Sequence, residues 1–204
     1  MSHAMRQTGQ ATTALGNVLV NLMLHWRWFK DHNKQIKVML VLGDDNLTIA
    51  KEKMDLENHV KICKSKYNML QVVEQKPKVG VFLRLLIGDG NGYTHCGPDV
   101  RRLRHRFETT NGQPGSNAEE MIDARCRSYL SMLGKTKGTE EINKSKNYGL
   151  ELINYHDMEM GIQLAGLQYE CGYESVLNDY NTLLNYIQKP EIYEKQWYHW
   201  KYQP

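Results

Sequence analysis

Two adjacent aspartates, Asp44 and Asp45, follow a glycine and lie between two apolar stretches, Ile36-Lys37-Val38-Met39-Leu40-Val41-Leu42 and Leu47-Thr48-Ile49-Ala50. Paired carboxylates on a tight turn suit a hard divalent cation, Mg²⁺ or Mn²⁺, which prefers carboxylate oxygens and keeps several waters. Beside a phosphate, such ions polarise an attacking hydroxyl and stabilise a leaving pyrophosphate, the chemistry of phosphoryl transfer. Alone, Gly43-Asp44-Asp45 says little, because such triplets arise by chance in solvated turns. A second group lies upstream. Thr8-Gly9-x-x-x-Thr13-x-x-x-Asn17 puts a hydroxyl and an amide four residues apart, on one face of a helix entrance. That pair suits a ribose 2′-hydroxyl, which both donates and accepts hydrogen bonds. Gly9 lets the backbone bend close to a substrate.

These groups need elements to hold them. Leu15, Val18, Leu19, Leu22, Trp26 and Phe29 recur at helical spacing and predict a helix from Ala14 to Lys30, broken by Asp31-His32-Asn33. Ile36 to Leu42 reads as a buried strand and Leu47 to Ala50 as a short second one. Together they make a β-hairpin with both aspartates in the tetrad at its tip. A charged helix is expected from about Lys51 to Lys66, with strands at Met69 to Val73 and Val79 to Ile87, the latter ended by Gly88-Asp89-Gly90-Asn91-Gly92. After Pro98 the pattern is helical throughout. Helices are expected at about Asp99–Phe107, Ala118–Leu133, Thr139–Tyr155, Met158–Tyr169, Glu174–Ile187 and Ile192–Trp200, with Asn117 as an N-cap. The fold class is α+β, an antiparallel hairpin with helices followed by an all-helical half.

At 204 residues, with 41% hydrophobic and 24% charged residues, the chain can bury a core and is not dominated by disorder. A formal net charge of +3 permits nucleic-acid binding without requiring it. Cys63, Cys96, Cys126 and Cys171 are widely spaced with no C-x-x-C pair, so free thiols in a reducing compartment are expected. Met1-Ser2-His3-Ala4-Met5-Arg6 lacks the apolar core of a signal peptide, and no run reaches the roughly 18 apolar residues of a membrane span.

The combined pattern resembles the viral RNA-dependent RNA polymerases. Arg6 to Asn17 resembles their motif B (Ser/Thr-Gly, three residues, Thr, three residues, Asn), with Thr8 in place of the commoner serine. Val38 to Asn46 resembles motif C, an apolar strand running into Gly-Asp-Asp. Lys51 to Lys76 resembles motif D, whose lysine can protonate departing pyrophosphate. Lys76 matches that place better than Lys66. Val81-Phe82-Leu83-Arg84-Leu85 resembles motif E, whose Phe-Leu-Lys/Arg core meets the primer strand. The resemblance implies a partial palm over residues 1–97 and a helical thumb over 98–204. It also implies two-metal nucleotidyl transfer with Mg²⁺ or Mn²⁺ on Asp44 and Asp45, and ribose recognition by Thr8, Gly9, Thr13 and Asn17. The implied partners are template and product RNA, nucleoside triphosphates and other viral replication proteins, in a replication complex of the host cytoplasm. The family's motif A carries a further metal-binding aspartate and precedes motif B, where the seven residues before Thr8 leave no room for it. The basic fingers are missing too. A C-terminal fragment, inactive without those parts, is therefore expected.

Other residues carry weaker signals. Val100-Arg101-Arg102-Leu103-Arg104-His105-Arg106 is the strongest basic cluster, and in a polymerase Arg101, Arg102 and Arg104 are expected to meet RNA phosphates rather than only solvent and nearby acids. Lys135, Lys137, Lys144 and Lys146 are looser and read as a solvated face. His59 and Cys63 have chelating spacing but no evident further ligands, so ordinary core or surface placement is expected, as for His95 and Cys96. Tyr193, Trp197, Tyr198, Trp200 and Tyr202 are expected to anchor a final helix. A reverse transcriptase shares a paired-aspartate hairpin but carries a different residue before it and lacks the Thr/Asn ribose check. A degenerate, non-catalytic palm that scaffolds RNA would not need intact acidic residues.

Overall fold

The computed structural model describes residues 13–31, 35–90, 92–109, 117–154 and 157–191. The chain divides into two compact units, Met1–Leu83 and Arg84–Pro204. Among the described residues it is a mixed α/β protein with seven helices and small antiparallel sheets.

The first unit contains α1 (Thr13–Asp31), β1 (Ile36–Leu42), β2 (Asp45–Ala50), α2 (Leu56–Tyr67) and β3 (Val79–Phe82). β1 and β2 form the expected antiparallel hairpin, in register from Leu42 opposite Asp45 to Leu40 opposite Leu47 and on to Val38 opposite Ile49, with an irregularity between Ile36 and Val38. β3 lies against β2 so closely that a Cβ on Gly80 would stand 2.5 Å from Leu47 Cδ1, which explains a glycine inside that strand. The charged helix begins later than its composition suggests. Asp55 caps α2 by accepting from Asn58 N–H at 3.1 Å, and Asn68 closes it in the left-handed conformation.

The burial of α1 is inverted. Its apolar residues Leu15, Met23 and Trp26 are 63, 75 and 67% exposed, while Asn21 and His25 are 6 and 7% exposed. The buried side is therefore polar and faces the hairpin and α2. His25 donates Nδ1–H to the Asn21 carbonyl at 2.7 Å, and its ring meets His59 of α2 at 4.9 Å between centroids. Trp28 stacks on the same His59 ring at 4.7 Å. Burial lowers the pKa of His25, favouring its neutral form between these partners.

Two strand expectations fail in this part of the chain. Residues 68–78 have no regular structure; Leu70 and Val72 are fully open to solvent, so β-prone composition finds no neighbouring ladder to join. The expected strand from Val79 to Ile87 is split, because Leu83 and Arg84 both adopt positive φ, 51° and 68°. That pair of signs is the signature of a type I′ turn.

The second unit begins with β4 (Leu85–Gly90) and β5 (Tyr93–Pro98), an antiparallel hairpin closed by Gly92 at φ 79°. The glycine-rich run thus turns the chain into a further strand instead of ending the sheet. Five helices follow: α3 (Val100–Glu108), α4 (Ala118–Leu133), α5 (Thr139–Ser145), α6 (Met158–Tyr169) and α7 (Tyr173–Gln188). Asn117 caps α4 as expected, accepting from Glu119 N–H at 3.1 Å. Phe107, Cys126, Leu130, Tyr180, Leu183 and Ile187 form the centre of one apolar core, and α6 also packs on β4 and β5. The helix expected from Thr139 to Tyr155 stops at Ser145. Asn147 and Gly149 take left-handed φ, and the Asn143 side chain bonds both backbone groups of Leu150, replacing helical partners. The segment expected as a helix from Ile192, and its aromatic residues, lie outside the described residues.

Candidate active site

The paired aspartates sit where the hairpin reverses, though not equivalently. Gly43 and Asp44 form the two-residue turn, with Gly43 at φ 61°, and Asp45 is already the first residue of β2, opposite Leu42. Glycine at the first central position with positive φ, followed by a residue without it, matches the type II′ hairpin turn. Both aspartates are exposed.

The turn is fastened from behind by α1. Asn21 Nδ2 donates to the Asp44 carbonyl at 3.0 Å, and the carbonyls of Gly43 and Asp45 flank it at 3.4 Å. Asn21 Oδ1 accepts from Asn46 Nδ2 at 3.3 Å, and Asn46 Oδ1 accepts from the Thr48 hydroxyl at 2.9 Å. The helix that begins at Thr13 and carries Asn17 one turn later is thus tied to the tip that carries Asp44 and Asp45. Thr13 and Asn17 are half-buried at its start; Thr8 and Gly9 lie outside the described residues.

The donor set fits a hard cation in part. Two carboxylates on a backbone-fixed turn are suitable oxygen ligands, and Mg²⁺ is commonly held by one or two carboxylates together with waters and substrate phosphates. No cluster of three or more His, Cys, Asp or Glu side chains able to hold a metal occurs among the described residues.

The sequence that builds this turn matches the family of RNA-dependent RNA polymerases over residues 3–136. The chain belongs to the viral RNA-dependent RNA polymerases, of positive-strand type. Comparison with curated proteins and with solved structures gives no match.

In this polymerase the remaining candidates each have their own surroundings. Lys76 lies in the irregular segment after α2 and is ion-paired with Glu74 at 3.2 Å. Arg84 is exposed on the left-handed turn rather than along a strand. In the second unit the arginines of α3 divide. Arg104 binds Asp179 of α7 through Nη1 at 2.5 Å and Glu108 through Nε at 3.0 Å, and the Asp179 bond leads in raising its pKa further. Arg101 lies over the Tyr169 ring at 5.0 Å, with Asp179 at 3.8 Å. Tyr186 donates to Glu108 at 2.5 Å; burial alone would favour the neutral acid, but this bond and Arg104 together hold the Glu108 carboxyl below its usual range. Arg102 serves the fold through its backbone, donating N–H to the Asp99 cap at 3.1 Å.

Of the two placements open to His59 and Cys63, both take the core, with Nε2 and Sγ 3.7 Å apart. Cys63, Cys96, Cys126 and Cys171 are all free thiols, and burial pushes Cys126 up to about 11. Among the described residues no helix is long and apolar enough to cross a membrane. The residues missed from sequence are Asn21, Asn46 and Thr48. A signal for the first was present: Thr13, Asn17, Asn21 and His25 recur every four residues, a polar stripe opposite the apolar one.

Proposed function

We propose that the Gly43-Asp44-Asp45 turn is the catalytic centre of RNA-templated nucleotide addition, with the first part of the chain, to about residue 97, acting as palm and the rest as thumb. Asp44 and Asp45 would hold Mg²⁺ or Mn²⁺, and the bound ions would supply charge neutralisation at the α-phosphate and the pyrophosphate. Thr8, Gly9, Thr13 and Asn17 orient the incoming ribose and read its 2′-hydroxyl. Lys76 delivers a proton to the departing pyrophosphate. Arg84, Arg101 and Arg102 contact RNA phosphates, and Arg104, anchored by two carboxylates, steadies the helix that presents its neighbours. The active enzyme needs the acidic strand and fingers that the family places before motif B, and works in a replication complex of the host cytoplasm.

The observation that carries this reading is the Asn21 contact. The helix bearing the ribose-type pattern and the turn bearing the carboxylates, separate in sequence, are fastened to each other in space. Ribose recognition and metal chemistry must meet at one nucleotide, so this pairing is what a polymerase requires.

The test is RNA-templated incorporation by the complete enzyme. The expected result is addition of the template-complementary ribonucleotide, abolished by EDTA and restored by Mg²⁺ or Mn²⁺. Addition that ignores the template, or persists after chelation, would refute the proposal.

A further inference from the structure

We propose that Asn21 is a positioning residue for the metal-binding carboxylates: its amide sets the peptide planes of the Gly43-Asp44-Asp45 turn and so the directions in which Asp44 and Asp45 point. The inference rests on the reading that those two aspartates hold the divalent cation.

Three observations lead to it. Asn21 is buried on a helix whose apolar residues face outward, so its amide must find partners, and it finds them in the hairpin, at Gly43, Asp44, Asp45 and Asn46. Carbonyl oxygens of three consecutive residues converge on one nitrogen, the nearest at 3.0 Å and the flanking two at 3.4 Å. A carbonyl lies in its peptide plane, so fixing successive carbonyls fixes the Cα–Cβ bonds between them. The amide orientation is also dictated by its surroundings. Reversing it would set Oδ1 against three carbonyl oxygens and Nδ2 against the donor of Asn46, which is itself oriented by the Thr48 hydroxyl.

The consequence concerns the cation more than the fold. A two-residue turn opposed by one strand pair can form without Asn21, because Gly43 supplies the required φ and Leu42 pairs with Asp45. Lacking the donor, three converging carbonyls repel one another and seek water, and the turn rotates. Carboxylates displaced by even a fraction of an ångström no longer share a small ion that demands near-ideal geometry.

The experiment measures Mn²⁺ affinity of the complete enzyme by electron paramagnetic resonance of the free ion, without RNA or nucleotide, for Asn21→Leu, Asp44→Asn and Ile36→Ala. Ile36 is buried at the far end of the same hairpin, and its truncation reports general destabilisation. Asn21→Leu is expected to weaken Mn²⁺ binding about tenfold, at a temperature where circular dichroism matches the wild type. Ile36→Ala is expected to lower the unfolding temperature with unchanged affinity. Equal affinities for Asn21→Leu and Ile36→Ala would overturn the positioning role. Unchanged affinity in Asp44→Asn would instead overturn the metal reading on which it rests. Should Asn21→Leu fail to fold, Thr48→Val removes the outer donor of the same relay. A roughly threefold weakening is then expected, and an unchanged affinity overturns the inference.

Discussion

Asn17 and Asn21 lie one helical turn apart, and the proposed roles divide between them, ribose recognition for the first and fastening of the turn for the second. The polar stripe that carries them is legible in the sequence as a four-residue repeat, yet the apolar stripe opposite is the stronger periodic signal. Hydrophobic periodicity reports which residues share a face, not which face is covered; on α1 the covered face is the polar one. Gly43, by contrast, was fully readable, since a glycine before Asp-Asp between two β-branched runs leaves few alternatives to a hairpin turn. For Asn17, the proposed ribose contact makes a separable prediction. Asn17→Ala should reduce the preference for ribo- over deoxynucleoside triphosphates by roughly tenfold, with metal affinity unchanged, because a site that bonds the hydroxyl loses its means of demanding it. Competition between the two triphosphates on one template measures this, and a preserved preference would remove Asn17 from sugar recognition.

Elements were read best where a cap or a turn residue marks them. α4 and α6 begin and end where their pattern and caps place them, and β1 occupies the whole apolar run before Gly43. The misses have specific causes. Positive φ at Leu83 and Arg84 has no compositional signal, because neither residue type favours it. The early end of α5 depends on a side-chain bond from Asn143 to Leu150, which no helical periodicity reveals. On α3 the basic cluster reads as one feature in sequence, but α7 divides it. Asp179→Ala removes the acid that Arg104 and Arg101 share and should destabilise the second unit by about 2 kcal/mol, seen in denaturant unfolding. Arg102→Ala should leave stability nearly unchanged, weaken RNA binding, and reduce the salt slope of affinity by about 1. The opposite pattern, a stability loss in Arg102→Ala with RNA affinity intact, would return the whole cluster to a structural role.

At the scale of the molecule, the sequence conveyed a mixed strand-and-helix half followed by a helical half, and the polymerase family. It did not convey that the first unit would bury so little apolar surface. Ile36, Met54, Cys63 and Val79 are the buried hydrophobic residues among those described there, and a stack of His25, Trp28 and His59 completes the packing of α1 on α2. Polar contacts between α1 and the hairpin therefore matter more to the placement of the carboxylates than a large core would allow. The proposed role of Asp44 is in nucleotide addition and not in the binding of RNA. Its most direct test is Asp44→Ala in the complete enzyme, with single-nucleotide addition and RNA affinity measured on the same primer–template. The expected result is loss of addition with RNA affinity largely intact; preserved addition, or loss of RNA binding in its place, would contradict the account.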